Sequence, residues 1–381
     1  MRAEAAPGRE TVVLLGSYAP SLVRFRGPLI RQLVRRGHRV VAAAPEIDPA
    51  TAAALAALGA ETHSTPLSRG GMNPLADLAY AAHLWRFFRR TRPDALIAYT
   101  AKPVVWGALA GSLAGVGKIT ALITGLGFAF SEGEGLKRRV AHAALSGLYR
   151  AALARCRRVV FQNPDDRDLF IRRRLVPSAG VVGMTAGSGV ELDYYEASPA
   201  PAAPSFLMMA RLLKDKGVRE YAEAAIALRR KHPHARFALA GWLDEGPDTI
   251  TRADLDRYVE NGVDYLGRLE DVRPALAACS VYVLPSYYRE GVPRSILEAL
   301  ATGRAVITTD MPGCRETVIR GENGFIVPPR DAGALAEAME RFIVEPDLAR
   351  RMGERSRRLA EEVFDSDAVA NETIRLAGLE R

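Results

Sequence analysis

The sequence predicts an α/β protein of two doubly wound, Rossmann-like domains whose strand ends face a central cleft. Three observations predict it. Apolar runs of strand length recur every ~20–30 residues with helix-length stretches between them, the spacing of βα units around a parallel sheet. The 381 residues exceed what one hydrophobic core usually organises. Residues 187–205 (GSGVELDYYEASPAPAAPS) break the rhythm with prolines at 199, 201 and 204 and no apolar periodicity, which marks a linker.

Taken in order, the first half carries apolar runs expected to be strands at Thr11–Leu15, Arg39–Ala44, Asp94–Tyr99, Ile119–Thr124 and Arg158–Gln162. Helices are expected over Pro28–Arg36, Pro74–Arg90 and Leu136–Arg155. After the linker, strands restart at Phe206–Ala210, Arg236–Ala240, Val263–Leu266, Val281–Pro285, Ala305–Thr309 and Phe325–Val327. Strand ends of such sheets are where ligands bind.

Composition narrows the class. With 48% apolar residues, 25% charged residues and mean hydropathy near zero, a disordered chain, a collagen-like fibre and a polytopic membrane protein are excluded. Residues 1–190 hold 26 Lys+Arg and 12 Asp+Glu, a charge of +14; residues 191–381 hold 26 and 32, a charge of −6, and the two sum to the formal +8. A basic half suits an anionic partner. Cys156, Cys279 and Cys314 are too few and too dispersed for a disulfide framework or a thiolate zinc site, which fits a reducing cytoplasm. Met1–Glu10 has no apolar core, so no secretory signal is expected. The stretch between Lys102 and Lys118 falls short of the ~18–20 apolar residues a bilayer needs.

The most informative segment is Ser286–Ala301, SYYREGVPRSILEALA. An apolar strand ends in a polar turn, and Pro293 stands where a helix can begin. Amides of Arg294 and Ser295 then lie at a helix N-terminus, suited to a diphosphate. Glu290 in the turn and Glu298 on the helix can accept hydrogen bonds from vicinal hydroxyls of a sugar or ribose. The plain alternative is an ordinary βα junction with solvated acids. In Ala210–Gly217, ARLLKDKG, the cations Arg211 and Lys216 flank a short loop at a strand's carboxyl end, where they can neutralise a leaving diphosphate. Lys214 is the competing cation, and a solvated basic loop is the alternative.

Together these pieces resemble the retaining family-4 glycosyltransferases of the GT-B fold. The resemblance is carried by Arg211-x4-Lys216, by EGVPRSILEALATG with Glu290 and Glu298, by Pro312-Gly313-Cys314-Arg315-Glu316, by Gly321-Glu322-Asn323-Gly324 and by Leu266-Gly267-Arg268. It is strongest over residues 206–330. In the first half, Phe25-Arg26-Gly27-Pro28-Leu29-Ile30 and Thr124-Gly125-Leu126-Gly127-Phe128 look like members that extend glycans on polyprenyl-diphosphate lipids, such as bacterial N-acetylgalactosaminyltransferases acting on undecaprenyl-diphosphate sugars.

The resemblance implies that Arg211 and Lys216 hold the diphosphate of a UDP-sugar, with the amides of Arg294 and Ser295. It implies that Glu298 binds the ribose, that Glu290 binds the donor sugar within the loop Gly291-Val292-Pro293, and that Gly267 and Arg268 border the base. Catalysis is then expected from Glu290, Arg211 and Lys216 by front-face attack, with the leaving diphosphate stabilised electrostatically. No cofactor and no metal are expected. Domains are expected over 1–190 (acceptor), 191–365 (donor) and 366–381, a helix crossing back onto the first.

One departure stands out. Many relatives place a His at the end of the strand corresponding to Leu122–Gly125, where this sequence has Thr124-Gly125. Acceptor-side candidates are therefore Gly16, Ser17, Arg26, Thr100, Lys102, Thr124, Gly125, Glu132 and Glu134. The departure lends weight to an alternative from another class, a non-catalytic sugar-nucleotide-binding or scaffold protein at a membrane.

Other chemistries lack their motifs. The strings Asp166-Arg167-Asp168, Asp254-Leu255-Asp256 and Asp365-Ser366-Asp367 fall at helix starts or inside helices, where Asp stabilises the macrodipole, and read as structural. No G-x-G-x-x-G, G-x-x-x-x-G-K-[ST] or G-x-S-x-G occurs in the required context. Basic clusters at Arg86, Arg89, Arg90 and Arg92, at 137–139, at 155–158 and at 172–174 lie among apolar residues that include Trp85, Phe87 and Phe88. Docking on an anionic membrane surface, at the inner face of the cell membrane, is the functional reading of these clusters. Nucleic acid is disfavoured, since the motifs of its binding modules are absent.

Overall fold

The computed structural model of the protein describes residues 9–67, 73–125, 136–244, 246, 248–345 and 347–380, with backbone alone at 136–144 and 179. Contacts divide the chain into two compact units, Met1–Gly189 with Ser366–Arg381, and Val190–Asp365.

The first unit is built on strands β1 (Thr11–Leu15), β2 (Arg39–Ala44), β3 (Glu61–Ser64), β4 (Ala95–Tyr99), β5 (Lys118–Ile123), β6 (Arg158–Phe161) and β7 (Val182–Met184). They form one parallel sheet in the order β3-β2-β1-β4-β5-β6-β7. Connecting helices are α1 (Ala19–Arg24), α2 (Gly27–Arg35), α3 (Pro49–Ala57), α4 (Pro74–Thr91), α5 (Ala101–Ala114), α6 (Leu136–Leu153) and α7 (Pro164–Arg172). Several starts are written in the sequence as Asx-Pro: Asp48, Asn73 and Asn163 each accept from an amide of the first turn, followed by a proline that lacks the amide it would have left unpaired.

Val12–Leu15 and all of β4 are buried on both faces, as a parallel sheet between helix layers requires. Each such Val, Leu or Ile contributes about 1.5–3 kcal/mol relative to exposure.

The second unit holds β8 (Ser205–Met209), β9 (Arg236–Ala240), β10 (Asp264–Gly267), β11 (Val281–Leu284), β12 (Ala305–Thr309) and β13 (Gly324–Val327), parallel in the order β10-β9-β8-β11-β12-β13. Its helices are α8 (Val218–Lys231), α9 (Arg252–Glu260), α10 (Arg273–Ala277), α11 (Arg294–Ala301), α12 (Ala332–Val344) and α13 (Leu348–Val363). In both sheets the strand order reverses once, between β1 and β4 and between β8 and β11. A crevice for ligands opens at such a switch point, outside the carboxyl ends of the strands.

The last helix, α14 (Ser366–Ala377), belongs to the first unit. Ala370, Ile374, Ala377 and Leu379 join the core beneath α2 and the sheet. Lys118 Nζ donates to Gly378 O at 2.7 Å and pairs with Glu10 at 2.6 Å, while His38 Nε2 lies 3.1 Å from Leu379 O. His38 is thus a packing residue.

Candidate active site

In the second unit the motifs meet at the switch point. Arg211 stands just beyond β8, and Lys216 closes a single 3-10 turn, Lys214–Lys216. Gly217 follows with φ of +77°, and a Cβ there would lie 2.2 Å from Pro285 O, just past β11. Only glycine allows that approach, which brings Lys216 against the loop after β11. The Asp215 carbonyl accepts from the amides of Tyr287 (2.8 Å) and Tyr288 (3.1 Å). On the far side, Gly313 (φ +85°) packs on the Gly291 carbonyl. Backbone contacts therefore clamp the Glu290 loop from two directions.

These elements enclose a cleft of about 270 Å³ whose lining includes Arg211, Lys216, Gly241, Trp242, Glu290, Pro293, Arg294, Ser295 and Glu298. Lys216 Nζ lies 2.7 Å from Glu290 Oε1, and Ser286 Oγ donates to the same oxygen at 3.0 Å. Arg211 Nη1 pairs with Asp244 Oδ2 at 2.9 Å. Glu298 Oε1 accepts from Tyr195 OH at 2.9 Å and from Arg294 Nε at 3.3 Å. Pro293 gives α11 no side-chain cap, and the first intrahelical bonds begin at Ile296 and Leu297, so the amides of Arg294 and Ser295 lie outside the helical ladder.

Burial shapes the ionisation of the site. It raises the Asp215 carboxyl above the ordinary carboxylate range, aided by Asp248 and Glu290 and opposed by Lys216. Burial, then the neighbouring Glu298, holds the Tyr195 phenol protonated far above its usual value. Burial also pushes the Cys314 thiol up to about 12, leaving it inert beneath the loop.

Not every expected residue lines the cleft. Gly291 and Val292 do not, and Gly291 serves as the packing point for Gly313. Gly267 and Arg268 lie outside the lining, though Arg268 sits 5.0 Å from the centre of the Trp242 ring. Pro312–Glu316 and Gly321–Gly324 build the turns around it: Gly313 N donates to Glu316 Oε2 at 2.7 Å, and Asn323 side-chain bonds tie down Ile319 N and Thr317 O.

In the first unit, Gly16, Ser17 and Thr100 come together past β1 and β4. Thr100 Oγ1 lies 2.9 Å from Ser17 Oγ. Thr100 has φ +68° and ψ 156°, a region nearly confined to glycine, at a cost of order 1–3 kcal/mol for a β-branched residue. Gly16 has no side chain because the Tyr99 ring fills that space, 2.4 Å from where a Cβ would be. The Arg26 guanidinium is buried 4.8 Å over Tyr99. Lys102, in the first turn of α5, forms an ion pair of 2.9 Å with Asp77. Thr124 and Gly125 follow β5 at the same end of the sheet. Glu132 and Glu134 lie outside the described residues.

The Asp-x-Asp strings are helix starts or interiors: Asp166 is fully buried in the α7 cap, and Asp254 completes a capping box with Thr251. Among the described residues no group of three His, Cys, Asp or Glu is placed to hold a metal ion.

Residues 23–184 match the Glycosyl transferase 4-like domain, and residues 197–359 match the Glycosyl transferases group 1 domain. The chain carries these two glycosyltransferase domains, one after the other. It is 28% identical over 370 residues, 93% of this chain and 95% of the relative, to the N,N'-diacetylbacillosaminyl-diphospho-undecaprenol alpha-1,3-N-acetylgalactosaminyltransferase of Campylobacter jejuni. A glycosyltransferase from Rickettsia africae superposes with a TM-score of 0.76 at 16% identity over 98% of each chain. Anabaena HepE, solved in complex with UDP, superposes with a TM-score of 0.76 at 18% identity over 97% of this chain and 99% of its own. Both likenesses place this glycosyltransferase in the GT-B fold.

Sequence reasoning had missed four polar or aromatic neighbours of the transferase's cleft: Asp244, Tyr195, Trp242 and Asp215. Trp242, an aromatic one glycine beyond the Arg236–Ala240 strand, carried a visible signal. Asp244 and Tyr195 did not, being 33 and 103 positions from the groups they hold.

Proposed function

We propose that this glycosyltransferase moves a sugar, with N-acetylhexosamines foremost among the candidates, from a UDP-sugar to a polyprenyl-diphosphate-linked glycan with retention of configuration, in the assembly of a cell-surface polysaccharide or glycoconjugate. The observation that carries the donor assignment is the meeting of two cations, two glutamates and the α11 N-terminus in one cleft at the switch point of the second unit. The acceptor reading is supported by the Campylobacter relative, which spans nearly the whole chain.

In this reading the diphosphate lies against Arg211, Lys216 and the amides of Arg294 and Ser295, and the ribose hydroxyls bind Glu298. The diphosphate draws Lys216 away from Glu290, which becomes available to the hydroxyls of the sugar. The acceptor hydroxyl attacks the anomeric carbon on the face that the diphosphate leaves. The C–O bond breaks with its electron pair going to the β-phosphate oxygen, and that oxygen takes the acceptor's proton. Charge builds on the leaving group, where the fixed cations lower the barrier; no divalent ion enters the scheme. Gly16, Ser17, Thr100, Thr124 and Gly125 form the acceptor side, with Arg26 and Lys102 behind them.

The exposed face of α4 supports a peripheral position at the inner face of the cell membrane. Leu75, Leu78, Trp85, Arg86 and Arg89 share that face, opposite the buried Tyr80, Leu84, Phe87 and Phe88. Among the described residues no helix is long and apolar enough to cross a membrane.

The test is transfer from a panel of UDP-sugars to polyprenyl-diphosphate glycans. Lys216→Ala should lower turnover by about 10²-fold or more while thermal unfolding stays unchanged. Glu298→Gln should weaken donor binding. Full activity in both variants would overturn the assignment.

A further inference from the structure

We propose that the Tyr195 hydroxyl is a positioning group that sets the Glu298 carboxylate for the ribose hydroxyls, so that the opening segment of the second unit governs how tightly the nucleotide is held. The proposal rests on the donor-site reading above and concerns a residue no motif includes.

Tyr195 is buried at 8% exposure, although its neighbours Asp193, Tyr194 and Glu196 are exposed. Its hydroxyl donates to Glu298 Oε1 at 2.9 Å, and Arg294 Nε reaches that same oxygen at 3.3 Å. The terminal torsion of a glutamate is broad and poorly self-determined. Two donors converging on one oxygen from different elements fix it.

The tyrosine itself is held from two sides. Arg357 Nη1, from α13, donates both to Tyr195 O at 3.0 Å and to Ala301 O at the end of α11 at 2.8 Å. One guanidinium thus locks the backbone of Tyr195 to the helix that carries Glu298. The Tyr195 ring meets Tyr194 edge-on at 5.0 Å, and Arg273 covers Tyr194 at 4.1 Å while paired with Asp271 at 2.7 Å. Tyr195 does not line the donor cleft; it forms part of the wall of a separate cavity of about 440 Å³. It therefore reaches Glu298 from outside the nucleotide site and acts through the carboxylate. Because burial keeps the phenol protonated, it remains a donor across the working pH range.

The experiment compares UDP with 2′,3′-dideoxyuridine diphosphate by calorimetric titration of the full chain. Wild-type protein should bind UDP more tightly, since only UDP offers hydroxyls to Glu298. In Tyr195→Phe the preference should shrink by ~fivefold, with UDP weakened and the dideoxy analogue unchanged. KM for the donor should rise while kcat stays within twofold. In a Glu298→Gln background, Tyr195→Phe should leave the preference unaltered. An unchanged preference in Tyr195→Phe, or an equal loss for both ligands, overturns the positioning role. A wild-type protein that does not distinguish the two ligands overturns the placement of ribose at Glu298, and the inference with it.

Discussion

A methyl group added at Gly313 would lie 1.7 Å from the Gly291 carbonyl oxygen, on a residue whose φ is +85°. Gly313→Ala is therefore expected to cost about 1–3 kcal/mol and to displace the loop that carries Glu290. A thermal melt should show the lost stability, and a UDP titration should show weakened binding; unchanged melting and binding would contradict the clamp. Asp215 offers a pH-dependent test. Its folded-state pKa lies above the unfolded value, chiefly through burial, so its contribution is intact below the unfolded pKa and is lost as pH rises through the folded one. Asp215→Asn should thus gain in melting temperature over wild type as pH rises above about 4, with no gap at the acid end. A gap that narrows with rising pH would refute this. At this scale the cleft was half legible from sequence. Arg211, Lys216, Glu290 and Glu298 declare themselves by spacing within single βα junctions. Their partners Asp244 and Tyr195 are brought in by the fold across 33 and 103 positions, and no local pattern announces them.

Among the elements, those with long apolar runs were readable and those without were not. β1, β2, β9 and β12 occupy the ranges their runs predicted, because strands covered on both faces must be apolar throughout. β3 was missed: its residues Glu61-Thr62-His63-Ser64 lie at the sheet edge, mostly exposed, and are ordered by pairing with β2 rather than by burial. β7 was missed because it has three residues. The stretch weighed as a membrane span contains α5, stopped by Gly115 at φ +86°. α4 carries the prediction that belongs to this scale. Leu78→Glu or Trp85→Glu should reduce co-sedimentation with anionic vesicles, and Arg86→Ala with Arg89→Ala should remove about 1 kcal/mol per charge, an effect that salt also reproduces. Binding indifferent to all four changes would show that this face does not meet the membrane.

For the whole molecule, the formal charge of +8 conceals a −6 segment that contains the cleft of Lys216, Glu290 and Glu298 and a +14 segment that contains Arg26, Thr100 and Lys102. α14 completes the first unit from the far end of the chain. Removing residues 366–381 should uncover the core that Ile374 and Leu379 close, at about 1.5–3 kcal/mol for each large residue. Calorimetry of the truncated chain should show a lowered transition for the first unit and an unshifted one for the second; a single unshifted profile would contradict the assignment of α14.

That closing helix also orders events in time. A ribosome releases β1 before the second unit, yet the sheet it belongs to lacks its last covering helix until the 176 residues from Val190 to Asp365 have followed. At roughly 5–20 residues per second, this leaves an unfinished apolar surface for on the order of ten to thirty seconds, while the second unit can already fold. Nascent chains stalled near Asp365 would therefore be the ones to recruit a holdase, and of the two units the one begun earlier is the one completed later.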